Sequence, residues 1–311
     1  MSAGRIRTTA TLAGVMCVRR HGLSVIAAIS ILCALAAVTN ASILAMELDP
    51  TEARIGPSNY TFFTTTFGSD GAEIQAIEVR GTEITTRDVG STHGGDCASL
   101  ALSPSGTMYS MCGHLFGAQQ LATIDQKTGR ANLFGVPVSG LAVMAMAFAQ
   151  NGILYAVGDC NPDPNFECVS GSDPTYNSLY RVNLNTGGVT RIGSTGAPQF
   201  FMDLAADRAG NMFGVTTTVN PSTVPAILYR IDLGTGRATK TVDLVGSNSV
   251  MGLAFGWDGK LYATDFIQNS GLYLVDPKTG FETAIAALPF GFSSGLELLN
   301  SGAMRASDDG K

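Results

Sequence analysis

Two acidic residues interrupt columns of small, neutral residues that recur along the chain. Seven positions before a recurring turn glycine, the column reads Ser99, Ala145, Asp203, Gly252 and Gly295. Five positions before it, the column reads Ala101, Ala147, Ala205, Ala254 and Glu297. An unpaired buried charge is costly, so each carboxylate must be solvated, paired or functional. Asp203 and Glu297 are therefore the first candidates for acid–base chemistry on a sugar-like substrate, or for holding a metal ion. The alternative is structural: each acid binds backbone amides or an arginine of a neighbouring repeat.

Histidine is the other side chain suited to proton transfer here. The chain has three histidines, and His21 belongs to an apolar leader, which leaves His93 and His114. A histidine can act as a general base near neutral pH, so His93 is predicted to assist the two acids. The alternative is a solvated histidine in a surface loop. The sequence contains no serine-hydrolase, zinc-peptidase or phosphate-loop motif.

Three further side chains are predicted to contact a ligand. Asp96 lies close to His93 in the segment Ser-Thr-His-Gly-Gly-Asp. Phe201 and Phe292 lie where the chain leads into strands that we expect to surround a channel. An aromatic ring at such a position can line a pocket.

One segment is rich in oxygen ligands. Asp159, Asn161 and Asp163 occupy alternate positions, and calcium prefers hard oxygen donors of this kind. Pro164 stands where a calcium loop of the EF-hand type requires glycine. The sequence therefore gives a weak calcium prediction, with a surface loop as its alternative, and predicts no other cofactor.

A repeat positions all of these residues. The line Leu-Tyr-x-Val/Ile-Asn/Asp-x-x-Thr-Gly ends at glycines 187, 236 and 280, and fainter copies end at glycines 129 and 81. The steps between these glycines are 48, 58, 49 and 44 residues. Each line is an alternating strand, a Thr-Gly turn and a second strand.

A second phrase recurs between these lines. It has the form Leu-Ala-x, a turn glycine and a Leu/Met-Tyr/Phe pair, as in Leu253–Phe255 followed by Gly259 and Tyr262. This phrase predicts another hairpin, with glycine at a turn position where a side chain would be strained. Two hairpins in each period make a four-stranded unit, and such units arranged radially are propeller blades.

The chain termini indicate how the ring closes. Residues 295–299 copy the first strand of the second phrase, and Tyr60–Phe67 reads as the second strand of a unit that lacks its first. Pairing them removes both open edges. The sequence thus predicts an all-β, five-bladed β-propeller over residues 60–303. In this ring we expect Asp203 and Glu297 to lie on different blades and to face one channel. Six blades remain an alternative if residues 42–67 contain more than one strand.

The repeat resembles that of secreted bacterial β-propeller proteins with Leu-Tyr-x-Ile-Asp-x-x-Thr-Gly blades, in the broad YVTN, NHL and quinoprotein-like group. The resemblance covers about residues 60–300 and concerns architecture, because members of this group range from redox enzymes to binding scaffolds. A single tryptophan, Trp257, departs from the repeated tryptophans of WD repeats and eight-bladed quinoprotein dehydrogenases. The resemblance therefore implies neither a quinone cofactor nor a WD-type protein.

The N-terminus predicts export. Arg19 and Arg20 precede an apolar run over residues 23–38, and small residues follow near Ala41. This arrangement is typical of a secretory signal peptide, here residues 1–41, followed by a linker over residues 42–59. Residues 304–311 are a C-terminal tail. We expect a secreted or periplasmic protein with no membrane span after cleavage, and an uncleaved membrane anchor is the alternative.

Cysteine usage agrees with an oxidising compartment. Outside the leader the chain has four cysteines, and four cysteines allow three connectivities. Cys97 and Cys112 flank a tight turn, whereas Cys160 and Cys168 close a short loop rich in proline and aspartate. The predicted disulfides are Cys97–Cys112 and Cys160–Cys168.

Charge narrows the set of partners. The chain has 19 Lys and Arg against 25 Asp and Glu, and without the leader the acidic excess grows to −10. An acidic body without a basic stripe argues against nucleic-acid binding. We predict a monomeric binding module for a protein, glycan or small ligand at the central channel. The alternative is a hydrolase or lyase, so the sequence leaves open whether the protein is an enzyme.

Overall fold

The computed structural model describes residues 59–68, 71–114, 117–160, 176–217, 225–246, 249–266 and 270–299. The predicted signal peptide, the C-terminal tail and all of the linker except Asn59 lie outside the described residues. The described residues form strands and turns only, and no helix that could span a membrane occurs among them.

The strands are numbered along the chain. They are β1 (Asn59–Gly68), β2 (Gly71–Arg80), β3 (Glu83–Ser91), β4 (Ala101–Leu102), β5 (Met108–Gly113), β6 (Ala118–Ile124), β7 (Ala131–Leu133), β8 (Val138–Ser139), β9 (Leu141–Phe148), β10 (Leu154–Cys160), β11 (Ser178–Val182), β12 (Val189–Ser194), β13 (Phe200–Ala206), β14 (Met212–Thr217), β15 (Ile227–Ile231), β16 (Ala238–Asp243), β17 (Val250–Phe255), β18 (Leu261–Asp265), β19 (Gly271–Val275), β20 (Glu282–Ala287) and β21 (Ser294–Leu298).

These strands form five antiparallel sheets arranged in a ring. The first blade has the order β21-β1-β2-β3, and the second has β4-β5-β6-β7 with the short β8 beside β6. The third, fourth and fifth blades are β9 to β12, β13 to β16 and β17 to β20. The protein is a five-bladed β-propeller, which confirms the predicted class and leaves no sixth blade among the described residues.

The innermost strands are β4, β9, β13, β17 and β21. Each begins after a connection from the preceding blade, and β4, β9, β13 and β17 end at a short turn that leads into the next strand of the same blade. We call the end of the ring where the inner strands begin the loop face, and the end where they finish the turn face. The Thr-Gly turns of the repeat also lie at the turn face.

Closure of the ring follows the prediction. The last strand pairs antiparallel with β1, with Phe62 opposite Leu298 and Thr64 opposite Leu296. The amide of Leu299 extends the pairing by donating to the carbonyl of Thr61 at 2.8 Å. The first blade therefore takes its innermost strand from the C-terminal end of the sequence, and no sheet edge is left open at the junction.

The hydrophobic core lies between blades. Five clusters of buried residues each join two neighbouring blades around the ring. In the cluster between the third and fourth blades, Tyr155 and Leu179 pack with Leu204 and Tyr229. The tyrosine of the Leu-Tyr line thus packs between blades here. Because every blade is buried on both faces, the ring is stabilised around its whole circumference.

The recurrent aspartate and glycine shape the turns of the repeat. The Asp232 carboxylate accepts hydrogen bonds from the amides of Gly234 and Thr235 at 2.9 and 2.8 Å. Gly236 has a φ of +82°, and a Cβ there would lie 2.6 Å from the carbonyl oxygen of Gly193 on the preceding blade. The turn therefore requires glycine at position 236 for two reasons, its backbone conformation and the close contact between blades.

The predicted Cys97–Cys112 disulfide is present, with an S–S distance of 2.10 Å. It ties the segment that leads into β4 to the end of β5. Cys168 lies outside the described residues, as does the side chain of Cys160, so the second disulfide stays a prediction.

Candidate functional site

Asp203 lies on β13 at the axis of the ring and is completely buried. Its Oδ1 accepts a hydrogen bond from the amide of Leu204 at 2.9 Å. Its Oδ2 accepts from the amides of Leu253 and Leu296 at 2.7 and 2.9 Å. The three donors belong to β13, β17 and β21, so this one carboxylate joins the inner strands of three blades.

The free edges of the inner strands explain why these amides point at Asp203. An innermost strand pairs with a neighbour on one side only, so its other edge presents unpaired amides to the axis. Asp203 supplies the acceptor for three of these amides. Burial raises the pKa of Asp203 well above its usual value, the nearby charge of Glu297 adds to the rise, and the three donors act against it.

The channel is narrow at this level because the neighbouring strands are in close contact. A Cβ on Gly252 would lie 2.9 Å from the Cβ of Leu296. A Cβ on Gly295 would lie 3.0 Å from the Cα of Ser99. The small residues of this column are therefore required by the approach of the inner strands, and the carboxylate of Asp203 occupies the space that remains at the axis.

Glu297 lies on β21 and lines a cavity of about 80 Å³. The other lining residues come from the ends of the remaining inner strands, near the turn face: Leu102, Ala147, Phe148, Leu204, Ala205, Ala206, Leu253, Ala254 and Phe255. The side chains of these nine residues are apolar. Glu297 therefore contributes the one ionisable side chain of the wall.

The carboxylate of Glu297 also binds backbone amides. Its Oε1 accepts from the amide of Leu298 at 3.1 Å, and the amide of Leu102 on the neighbouring inner strand also donates to it. Burial raises the pKa of Glu297 from 4.5 to about 8 despite these donors. At neutral pH the carboxyl group is therefore mostly protonated, and it can donate or accept a proton at the cavity.

The two acids were predicted to lie on different blades facing one channel, and the structure places them there. They differ in access: Glu297 lines the cavity, whereas Asp203 is not among its lining residues. Of the two, only Glu297 can contact a molecule in that cavity. The sequence did not reveal the backbone amides that hold each acid, because those donors lie far apart in the chain.

The structure does not bring His93 to these acids. His93 is exposed, has a φ of +52° and lies in the segment that leads from the loop face into β4. It is not among the residues that line the cavity of Glu297. Asp96 follows in the same segment, partly buried, and its amide donates to the carbonyl of Gly113 at 2.7 Å. His93 and Asp96 therefore lie together beside the disulfide, apart from Glu297.

The two predicted aromatic residues have different environments. Phe201 is 2% exposed and packs in the core between blades, with its ring centre 5.6 Å from that of Tyr229. Phe292 is partly buried in the connection that leads into β21, with a φ of +57°. Its ring centre lies 5.1 Å from that of Phe266. Of the pair, only Phe292 lies where a ligand at the loop face can reach it.

Phe292 belongs to a group that the sequence did not identify. The ring of Phe266 also packs against Phe67, with centres 5.9 Å apart. Phe67 also packs against a small cluster formed by Ala98 and Ala142. We call Phe67, Phe266 and Phe292 the loop-face aromatic group. Phe67 lies near the end of β1 and Phe266 directly follows β18. Aromatic residues at the ends of predicted strands could have indicated this group in the sequence.

The calcium segment falls partly outside the described residues, which exclude Asn161 and Asp163. Asp159 is 8% exposed near the end of β10. Burial raises the pKa of Tyr176, and the charge of Asp159 adds to this rise. Among the described residues there is no group of three or more His, Cys, Asp or Glu side chains that could hold a metal ion. The calcium site thus stays a prediction.

No protein-family model and no curated protein matches the chain. Several solved structures are similar at low identity. A gluconolactonase from Xanthomonas campestris is 12% identical, with a TM-score of 0.47, over 80% of this chain and 85% of that one. A protein of unknown function from Bacteroides caccae is 13% identical, with a TM-score of 0.41, over 78% of this chain and 100% of that one. A virginiamycin B lyase from Staphylococcus aureus is 14% identical, with a TM-score of 0.40, over 76% and 72% of the two chains. At these identities no residue role is transferred to this chain.

Proposed function

We propose that this protein is an exported binding module that takes a small ligand or glycan at the loop face of its central channel. The observation that carries the proposal is the state of Asp203. This residue is the best candidate for catalysis in the sequence, and its carboxylate is buried and engaged by three backbone amides. A carboxylate held in this way links blades and does not contact a substrate.

The loop-face aromatic group supports the choice of face. Phe67 and Phe292 are partly buried, and Phe266 is 7% exposed. Flat aromatic surface around a channel mouth suits the apolar face of a sugar ring or of a small cyclic metabolite. His93 and Asp96 lie in another connection of the same face and add polar groups to it.

Export is part of the proposal. The Cys97–Cys112 disulfide is consistent with an oxidising compartment, and the apolar leader in the sequence provides the route.

A thermal-shift screen of the purified protein against monosaccharides, short oligosaccharides and small metabolites tests the proposal. A ligand that binds the folded state stabilises it, by about 2.7 kcal/mol at a concentration 100 times its Kd, and so raises the melting temperature. We expect the shift to be lost in Phe292→Ala and kept in Phe281→Ala, which removes an exposed aromatic ring at a Thr-Gly turn. A shift that survives Phe292→Ala would place the ligand elsewhere, and a screen without any shift would contradict a small ligand.

One observation favours the hydrolase or lyase alternative. Glu297 faces a cavity and has a pKa of about 8, which is suitable for a general acid or base at neutral pH. This alternative predicts turnover that Glu297→Gln abolishes and Phe292→Ala does not affect. The same two variants therefore separate the two functions.

A further inference from the structure

A groove on the fourth blade has a chemistry that differs from that of the channel. It has a volume of about 710 Å³ and is lined by the turn before β14 and by the hairpin of β15 and β16. These are outer strands of the blade, so the groove lies away from the axis. Two arginines line it, Arg230 and Arg237. The chain as a whole has more acidic than basic residues, so this is a local reversal of charge.

The position of Arg230 is fixed by a chain of two hydrogen-bonded residues, first Asn211 and then Asp207. Its guanidinium donates to the Oδ1 atom of Asn211. Asn211 is held in turn by Asp207, whose carboxylate accepts from both its side-chain and its backbone nitrogen at 2.7 Å. Because the direct partner of Arg230 is an uncharged amide, this contact does not neutralise the positive charge of the guanidinium. Its remaining N–H groups can donate hydrogen bonds to a ligand. A cation held in place in advance loses less entropy on binding.

Arg237 completes the charged wall. Within the described residues the guanidinium of Arg237 makes no hydrogen bond or ion pair, and the residue is exposed. Lys240 also belongs to the lining, but it lies opposite Tyr229 in the strand register, and Tyr229 packs in the core between the third and fourth blades. The side chain of Lys240 is therefore on the other face of the sheet from Arg230, where it pairs with Asp243 at 2.7 Å.

One acid also lies on the wall. The carboxylate of Asp232 accepts hydrogen bonds from the amides of Gly234 and Thr235, and these donors lower its pKa. Its charge is thus directed at the backbone of its own turn. Thr239, opposite Arg230 in the strand register, adds a hydroxyl to the wall.

We propose that this groove binds a small organic molecule through a phosphate or sulfate ester group, held by Arg230 and Arg237. Planar guanidinium groups match the oxygens of such groups, and charge-assisted hydrogen bonds to them are strong. The volume falls within the range of small-molecule sites, with room for the organic part beside the oxyanion. This site is distinct from the ligand site proposed at the loop face and does not depend on it.

Isothermal titration calorimetry of the purified protein at low salt tests the proposal. The probes are glucose 6-phosphate, inorganic phosphate, inorganic sulfate and glucose. We expect saturable binding of the phosphate ester, weaker binding of the two free ions and none of glucose. Arg230→Gln and Arg237→Gln should each raise Kd about tenfold or more. Added salt should weaken the binding as well.

Arg181→Gln is the matched control. Arg181 has the same place in the repeat line on the third blade and is exposed like Arg230, so this change removes the same charge outside the groove and should leave Kd unchanged. If Arg181→Gln raised Kd as much as Arg230→Gln does, the binding would reflect general attraction by positive charge. That result would overturn the proposed site. Absence of saturable binding, or an ester that binds no more tightly than free phosphate, would overturn it too. If Arg230→Gln fails to fold, Arg237→Gln decides, because the Arg237 side chain has no hydrogen bond to lose.

Discussion

Asp203 and Glu297 are two carboxylates in one channel, and each binds backbone amides of inner strands. At Asp203 three strands converge on the carboxylate, and glycines allow the strands to touch. At Glu297 alanines replace the glycines, and a cavity of about 80 Å³ remains. The comparison shows that an acid in a ring of strands is enclosed by backbone amides at one level and borders a cavity at the next. What separates the two environments is how closely the strands approach.

The largest expected effect is that of Asp203→Ala on stability. The change leaves three buried amides without an acceptor, and each such loss costs about 1–3 kcal/mol. We expect the free energy of unfolding, measured by urea denaturation, to fall by about 3–5 kcal/mol. Glu297→Ala, the matched change one level along the channel, should cost less, because its site already contacts a cavity. Equal losses in the two variants would remove the distinction between the levels.

A second effect concerns pH. The pKa of Glu297 is about 8 in the folded protein against an ordinary value of 4.5, so between these values the folded state holds a proton that the unfolded state has lost. Stability from this group is therefore full below about pH 4.5, and it falls as pH rises towards 8. The slope is at most about 1.4 kcal/mol per pH unit.

Comparison with Glu297→Gln isolates this contribution. We expect the difference in unfolding free energy between the wild type and the variant to shift against the wild type by about 2 kcal/mol from pH 6 to pH 8. Because the charge of Glu297 also raises the pKa of Asp203, the same comparison made in an Asp203→Asn background removes the contribution of Asp203. Parallel pH profiles would mean that Glu297 has an ordinary pKa, and would remove the basis for a role in proton transfer.

A smaller effect is expected from filling the tight level of the channel. In Gly252→Ala the new methyl group meets the side-chain oxygen of Thr264 in its own blade and the Cβ of Leu296 in the adjacent blade, and overpacking of this kind costs about 1 kcal/mol or more. Gly188→Ala is the control, since a Cβ there meets only side-chain atoms, the nearest being Thr186 Oγ1 at 3.3 Å. Thermal unfolding of the two variants gives the comparison. A tolerated Gly252→Ala would show that the strands can separate at the level of Asp203.

The sequence predicted the ring, its blade number and its closure because the Thr-Gly turns repeat at regular steps. It also predicted that Asp203 and Glu297 face the channel. It could not give their partners: Leu253 and Leu296 lie 50 and 93 residues from Asp203, and only the closed ring brings them together. The prediction that Phe201 contacts a ligand, which rested on its place before an inner strand, remains a prediction. Alternation along β13 turns its ring towards Tyr229 in the core instead of the loop face.

The last inner strand has a consequence for how the chain reaches its native state. Thr65 and Ser294, which are hydrogen-bonded, are separated by 229 residues. A ribosome synthesises the chain from its N-terminus, so the first blade stays three-stranded until β21 has been made. The same late segment carries Leu296, one of the donors to Asp203. Contacts between such distant residues are slow to form. Closure of the ring should therefore wait for β21, which supplies both the last sheet pairing and one of the axial hydrogen bonds.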